Sequence, residues 1–479
     1  MTAATTPTTT SPTTTTPTTT SPATTGPITA ATMPAPAAAR AVSLPDDPRA
    51  HVAERYARMA AADRPEVWIA LRPEAEVADE LAAVVDRARA GEDVPLAGVL
   101  LAVKNNIDVA GLPTTAACPA YAYRPERDAV AVARLRAAGA VVVGTTNLDQ
   151  FATGLVGTRS PYGAVRHATH PERVSGGSSS GSAVAVALGV VDAALGTDTA
   201  GSGRVPAAFH GLVGVKPTKG TVPATGVVPA CRTQDVVTSM AADLSLARLV
   251  AATMTGPDDG DPLSRPFPTD PTVAALAGRS TDTPTASRLG VPATADLGEL
   301  APGWAEANER SVAAFVAAGA VTVPVDVTPF LAAARMLYES AFVAERYAAV
   351  GAFVDAHPDE VDPTVGRIIA AARDLPAWRL YQDLERLDGL KVEALRTFED
   401  VDALLLPTTT QHPTIAVVQE DPIGVNASLG RFTNGANLLD LAALALPAGL
   451  VDGLPFGVQL VGPAFSDHRL AALAATVLP

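Results

Sequence analysis

The sequence predicts an α/β protein that carries its chemistry at strand and helix ends, and three observations lead there. Two short apolar runs, Leu96–Val103 and Ala140–Val143, bracket a stretch with helix-end signals, the strand–helix–strand order of a βαβ unit. Two glycine turns, one at Ser175–Ser182 and one at Gly196–Gly203, adjoin small-residue runs of helix or strand type. In open α/β sheets such loops hold ligands. Finally, 479 residues of which 48% are hydrophobic suffice for a large core, in one large unit or in more than one.

Residues 1–40 are Thr, Pro and Ala with almost no charge or bulky apolar side chain, and are expected to form a disordered tail. Residues 41–95 form an N-terminal helical segment. Val52, Tyr56, Met59, Leu81 and Val84 recur there at helical spacing between charged positions, which predicts one or two peripheral helices between Asp46 and Ala90. The core is expected over residues 96–479. Leu96–Val103 reads as a buried strand that delivers Lys104 to its end. Asp128 is the expected cap of a helix through Arg136, closed by Gly139 before the strand Ala140–Val143. Ser182–Leu188 reads as a helix and Val190–Leu195 as the strand leading into the second glycine turn. Gly256–Thr283, rich in Pro, Asp and Thr, is an exposed connection. Trp304–Ala318 and Arg335–Val354 are predicted helices, and Val401–Leu406 and Pro455–Val461 predicted strands.

The charge balance, 35 basic against 50 acidic residues, opposes general binding to nucleic acid or to anionic membrane surfaces. No apolar run reaches eighteen residues and no secretory signal opens the chain, so a cytoplasmic protein is expected. Cys118 and Cys231 lie too far apart for a metal knuckle and are too few for a disulfide framework.

A serine hydroxyl attacks a carbonyl only if a neighbouring group takes its proton. Lysine does this when burial keeps its amine uncharged. Glycine turns can aim successive N–H groups at one point, as an anionic tetrahedral intermediate requires. Ser178, Ser202 and Lys104 therefore suit acyl transfer. Other readings compete. Gly177-Ser-Ser179-Ser-Gly181 fits the G-x-S-x-G nucleophile elbow, with His210 or His412 as base, but neither histidine has a distinguishing context. A flexible linker does not suit a loop set against an apolar helix, and no phosphate-binding glycine motif occurs.

The 24-residue separation of Ser178 and Ser202 across an Ala/Val helix and strand, with Lys104 at a strand end 98 residues before Ser202, resembles the amidase signature family from about Asp47 to Leu478. The resemblance implies a mixed central sheet covered by helices on both faces. It also implies a triad in which Ser202 is the nucleophile, Ser178, after a cis peptide, the bridging serine, and Lys104 the base. The N–H groups of Thr199, Ala200 and Gly201 would form the oxyanion hole. Asp198 and Arg204 flank the turn, either as an ion pair or turn cap or as participants in catalysis. No metal or organic cofactor is implied.

Where many members carry Gly-Gly-Ser-Ile-Arg, this chain has Ala200-Gly-Ser-Gly-Arg204. With the stretches Asp149–Gly163, Val228–Thr233 and Pro407–Pro413, that turn resembles the branch of the family acting on allophanate, urea carrying a carboxylate. For that branch the resemblance implies Tyr338 and Arg346 as the substrate-holding pair, Thr153 and Gly154 as further lining, and a final yield of ammonia and carbon dioxide. It also implies a functional link to a biotin-dependent urea carboxylase, is compatible with a homodimer, and leads one to expect a C-terminal domain that is absent from a chain ending at Pro479. On a straight helix Tyr338 and Arg346 stand about 12 Å apart along the axis and roughly 80° around it. Arg346 has no carboxylate three or four positions away, which leaves anion binding or a solvated head on an apolar stem. The alternatives in function are an amidase of other specificity, including the glutaminase subunit of a tRNA-dependent amidotransferase, and a non-catalytic scaffold with this fold.

Overall fold

The computed structural model describes residues 43–268 and 287–478. The tail assigned to residues 1–40, and the part of the 256–283 connection beyond Pro268, lie outside the described residues. The strands are β1 (Trp68–Leu71), β2 (Leu100–Lys104), β3 (Val141–Thr146), β4 (Ala193–Asp198), β5 (Val213–Lys216), β6 (Val236–Ala241), β7 (Arg288–Val291), β8 (Val321–Pro324), β9 (Ala403–Pro407), β10 (Leu441–Val451) and β11 (Leu454–Pro463). Among the described residues they form one sheet in the order β1-β3-β2-β4-β6-β5-β10-β11-β9-β7-β8. β3, β2 and β4 run parallel, as do β9, β7 and β8, whereas the joints around β6, β5, β10 and β11 are antiparallel. The sheet is mixed, as expected.

Residue parity places helices on both faces. Leu101 and Val103 of β2, Ala403 and Leu405 of β9, and Leu444 and Leu446 of β10 pack into one core with the helices Val130–Ala137, Leu244–Met254 and Trp304–Ala317. The alternate residues face the opposite way. Leu100 and Ala102 meet Leu81 and Val184, while Leu404 and Ala443 meet Leu337 and Ala394 of the helices Thr328–Glu339 and Ala377–Asp400. Such two-sided burial requires the unbroken apolar runs seen in the sequence.

Three local expectations change. The segment 41–95 holds two helices, Pro48–Ala62 and Glu74–Arg89, but β1 lies between them and pairs with β3, so the segment also contributes a sheet edge. Asp128 does not cap the helix Val130–Ala137, because its carboxylate accepts the Ala110 N–H at 2.8 Å and pairs with Arg136 at 3.2 Å. The helix expected over Arg335–Val354 breaks at Ser340 into Thr328–Glu339 and Ala344–Ala356, joined by a single turn.

Candidate active site

β2 ends on Lys104, beside the parallel β4, with Val103 level with Leu195. The lysine is fully buried. Its Nζ is hydrogen-bonded to Ser178 Oγ and to Thr197 Oγ1, each at 2.7 Å. Burial lowers the amine to about 7, and outweighs the nearby carboxylates of Asp149, Asp235 and Asp198, which act in the opposite direction. An amine in this setting is part neutral at neutral pH and touches only hydroxyls.

Ser178 follows a cis peptide bond to Gly177. A Cβ at Gly177 would stand 2.2 Å from Asp149 Oδ2, so only glycine fits there. Asp149 is itself fully buried and accepts the N–H groups of Val156, Gly157 and Arg159 at 3.2, 3.0 and 3.0 Å, while its own N–H donates to the Ser178 carbonyl at 3.2 Å. One residue thus ties the 150–159 loop, through its carboxylate, to the Ser178 loop, through its backbone N–H. Reading the sequence by residue type does not single Asp149 out. A lone acid before a glycine-containing loop (Gly154, Gly157) is the signal available there.

The second turn is built around Asp198 and Arg204, both fully buried. Asp198 accepts the Gly201 N–H at 2.8 Å, the Gly203 N–H at 3.2 Å and Arg204 Nε at 2.9 Å. Arg204 completes its set with Gln459 Oε1 at 2.8 Å and the Thr433 carbonyl at 2.9 Å. Burial alone would raise the Asp198 carboxyl, yet the adjoining Arg204 guanidinium holds it below its usual range. Of the two readings of this pair, the structure displays the ion pair and turn cap. Across the turn, Thr199 Oγ1 donates to Asp235 and Thr433 Oγ1 to the Ala200 carbonyl.

Ser202 Oγ donates to the Gly154 carbonyl at 3.4 Å, a long contact, and is not bonded to Ser178 Oγ. The two serine loops are joined instead through backbone, Ser179 N–H to the Ser202 carbonyl at 3.3 Å. Of the three amides expected to face an oxyanion, those of Thr199 and Ala200 have no acceptor among the described residues. That of Gly201 donates to the Asp198 carboxylate, three residues earlier in the same turn.

Arg346 is 1% exposed, so its head is not in water. Its Nη1 donates to Thr153 Oγ1 at 2.9 Å and its Nη2 to the Tyr338 hydroxyl at 3.0 Å, and Nε has no partner. Among the described residues no carboxylate forms an ion pair with it. Asp235 and Glu345 lie near enough to favour its charge, but their oxygens are taken by Thr199, Cys231 and Thr233. The break at Ser340 explains how Tyr338 and Arg346 meet despite standing eight apart. Ser340 Oγ donates to the Met336 carbonyl at 2.6 Å and accepts the Phe342 N–H, while Asp383 of the helix Ala377–Asp400 accepts the Ala341 N–H at 2.8 Å. Thr153 bonds Arg346 and the adjacent Gly154 bonds Ser202, so the Arg346 guanidinium and the Ser202 turn border one loop. Beyond Tyr338 a cleft of about 600 Å³ is lined also by Arg335, Arg431 and Asn434. His210 and His412 do not serve a nucleophile elbow, since their bonded nitrogens meet backbone groups.

Sheet, glycine turns and buried lysine define the class, a hydrolase acting on amides. The amidase family model matches residues 51–471, and the chain belongs to that family. It is 46% identical over 392 residues to a urea amidolyase of Saccharomyces cerevisiae, covering 80% of this chain and 21% of that protein. The chain therefore spans about a fifth of the length of the urea amidolyases it matches. A solved Kluyveromyces lactis allophanate hydrolase aligns with TM-score 0.79 and 41% identity over 90% of this chain and 70% of that one. A glutamyl-tRNA(Gln) amidotransferase subunit of Halobacterium salinarum is 35% identical, over 80% of this chain and 96% of its own length.

Proposed function

We propose that this chain hydrolyses the terminal amide of allophanate with Ser202 as nucleophile, Ser178 as proton bridge and Lys104 as base. The observation that carries the substrate is Arg346. A buried guanidinium with two neutral partners and no counter-ion is costly unless an anion completes it. A carboxylate accepting two parallel N–H bonds is the natural complement, and Thr153 and Tyr338 already hold the fork in place. Similarity to urea amidolyase and to allophanate hydrolase supports the same choice.

In the reaction, Ser202 Oγ bonds to the amide carbon while its proton passes to Ser178 and that of Ser178 to Lys104. Rotation of the Ser202 hydroxymethyl from Gly154 toward Ser178 closes the relay, a change between staggered wells. The unbonded N–H groups of Thr199 and Ala200 receive the oxyanion. The C–N bond then breaks, and ammonia leaves with the proton returned through Ser178. Water repeats the path in reverse and frees Ser202 with a dicarboxylated amine, which loses carbon dioxide. An enzyme that carboxylates urea is the reaction class that would supply the substrate.

Ammonia release by the purified chain from allophanate, glutamine and simple aryl amides tests the reading. Turnover of allophanate that falls in Arg346→Lys, whose ammonium lacks the planar fork, is expected. Preference for glutamine would favour the alternative of a glutaminase working within an amidotransferase, which the 35% identity to such a protein keeps in view. Wild-type allophanate turnover in Arg346→Lys would place the anion elsewhere.

A further inference from the structure

Behind the two serine loops stand three imidazoles that the reaction does not use. His167 and His210 stack with centroids 4.4 Å apart and planes 17° from parallel, and His412 meets His167 edge-on at 5.1 Å. His412 also lies flat on Phe209, at 3.8 Å and 5°. Each ring grips a different piece of backbone. His412 Nε2 donates to the Val174 carbonyl at 2.9 Å, four residues before Ser178. His167 Nε2 donates to the Phe209 carbonyl at 2.7 Å, at the end of the helix Arg204–Phe209 that follows Ser202. His210 Nδ1 donates to the Pro206 carbonyl at 2.9 Å, and its Nε2 accepts the Ala168 N–H at 3.3 Å.

These partners fix the tautomers. His167 Nδ1 accepts the N–H groups of Thr169 and His170 at 3.3 and 3.2 Å, and so has no room for a proton of its own. Burial holds His167 down to about 4 and His412 down to about 3; the nearby cationic and imidazole groups Arg64, Arg173 and His170 act in the same direction, and only the accepting carbonyls of Phe209 and Val174, with Glu172, oppose it. Three neutral rings with directed bonds, joined face to face and edge to face, form a rigid brace between the chain entering the first serine loop and the helix leaving the second. Gly176 packs on the same helix, where a Cβ would stand 2.9 Å from both Phe209 Cδ2 and Pro206 Cα, so the loops have little slack of their own.

We infer that His412, backed by His167 and His210, is a positioning residue that sets the Ser178 loop against the Ser202 helix. This role rests on the assignment of those two serines above. His412 touches no substrate and acts through Val174 and Phe209.

The test compares His412→Phe, His412→Gln and Ser202→Ala with the parent chain, by steady-state kinetics on allophanate and by thermal melting. Phenylalanine keeps the stack on Phe209 but has no N–H for Val174, and is expected to lower kcat about tenfold with KM changed less than twofold. Glutamine carries an N–H at a similar reach and is expected to restore kcat to within about threefold of the parent. Parental kcat in His412→Phe overturns the inference, as does an equal loss in both variants, or melting of both below assay temperature, which would make the ring a folding element only. Activity surviving in Ser202→Ala would instead overturn the assignment of the nucleophile, so the two failures are distinguishable.

Discussion

Two buried arginines lie beside the Ser202 turn and the loop that it contacts, and they are opposites. Arg204 has all three nitrogens engaged, in four hydrogen bonds to Asp198, Gln459 and Thr433. Arg346 is as deeply buried but meets two hydroxyls and leaves Nε empty. A guanidinium paired with a buried carboxylate holds structure, whereas one without an ion-pair partner has donor capacity left, proposed above to be taken up by the substrate's carboxylate. Burial alone does not separate the two cases; the count of partners does.

The largest effect that sharpens this comparison is at the nucleophile between them. Ser202→Ala should lower ammonia release by at least about a thousandfold while the melting temperature stays within a few degrees, since no other side chain holds that hydroxyl and its one contact, to the Gly154 carbonyl, is long. The arginines should then divide cleanly. Arg204→Met strands Asp198 in the core and should cost about 3–5 kcal/mol of stability, read by denaturant unfolding. Arg346→Met should leave stability within about 1 kcal/mol of the parent or raise it, yet reduce kcat/KM for allophanate about a hundredfold, the equivalent of two charge-assisted hydrogen bonds. Equal destabilisation by both changes would break the comparison.

The pH dependence tests the base. Lys104 must be neutral to accept a proton, so kcat/KM should rise with pH through about 7 and level off above it. The same amine affects stability. Its folded value, about 7, lies below its ordinary 10.5, so between these limits the unfolded chain binds more protons. Stability from this group is therefore full above about 10.5 and is lost as pH falls toward 7. Substituting Lys104 by Met should remove that slope along with activity. The smallest effect is expected for Thr153→Val, which removes one hydroxyl from the Arg346 fork. A rise in KM of about fivefold with kcat nearly constant corresponds to one hydrogen bond of about 1 kcal/mol.

What the sequence discloses follows the range of the forces involved. β2, β3, β9 and β11 are legible because strands buried on both faces must be continuously apolar, and Gly139 marks a real helix end with its φ of +96°. β1 escapes because four residues between two amphipathic helices carry no period of their own. Lys104, Ser178 and Ser202 are legible as a set through turn chemistry and spacing, and the first two are in contact. The break at Ser340 is not, because no glycine or proline marks it, and the bond that holds it open comes from Asp383 on another helix. For the same reason Tyr338 and Arg346 cannot be brought together from sequence on a straight helix. The surroundings of His412 are likewise tertiary, since its Nε2 meets the Val174 carbonyl far along the chain, while Asp149 and His210 combine near backbone partners, Val156–Arg159 and Pro206, with the more distant Ser178 and Ala168.

The interruption at Ser340 has a bearing on how such a scaffold diversifies. The Arg346 guanidinium comes from one side of this joint and the Tyr338 phenol from the other, whereas Lys104 ends a strand and Ser178 and Ser202 lie in turns that lead into other helices. Adding or deleting one residue in the joint is expected to part Tyr338 from Arg346, while Lys104, Ser178 and Ser202 are carried by other elements. On the proposed reading, the length of this one turn is thereby a determinant of which amide the site accepts.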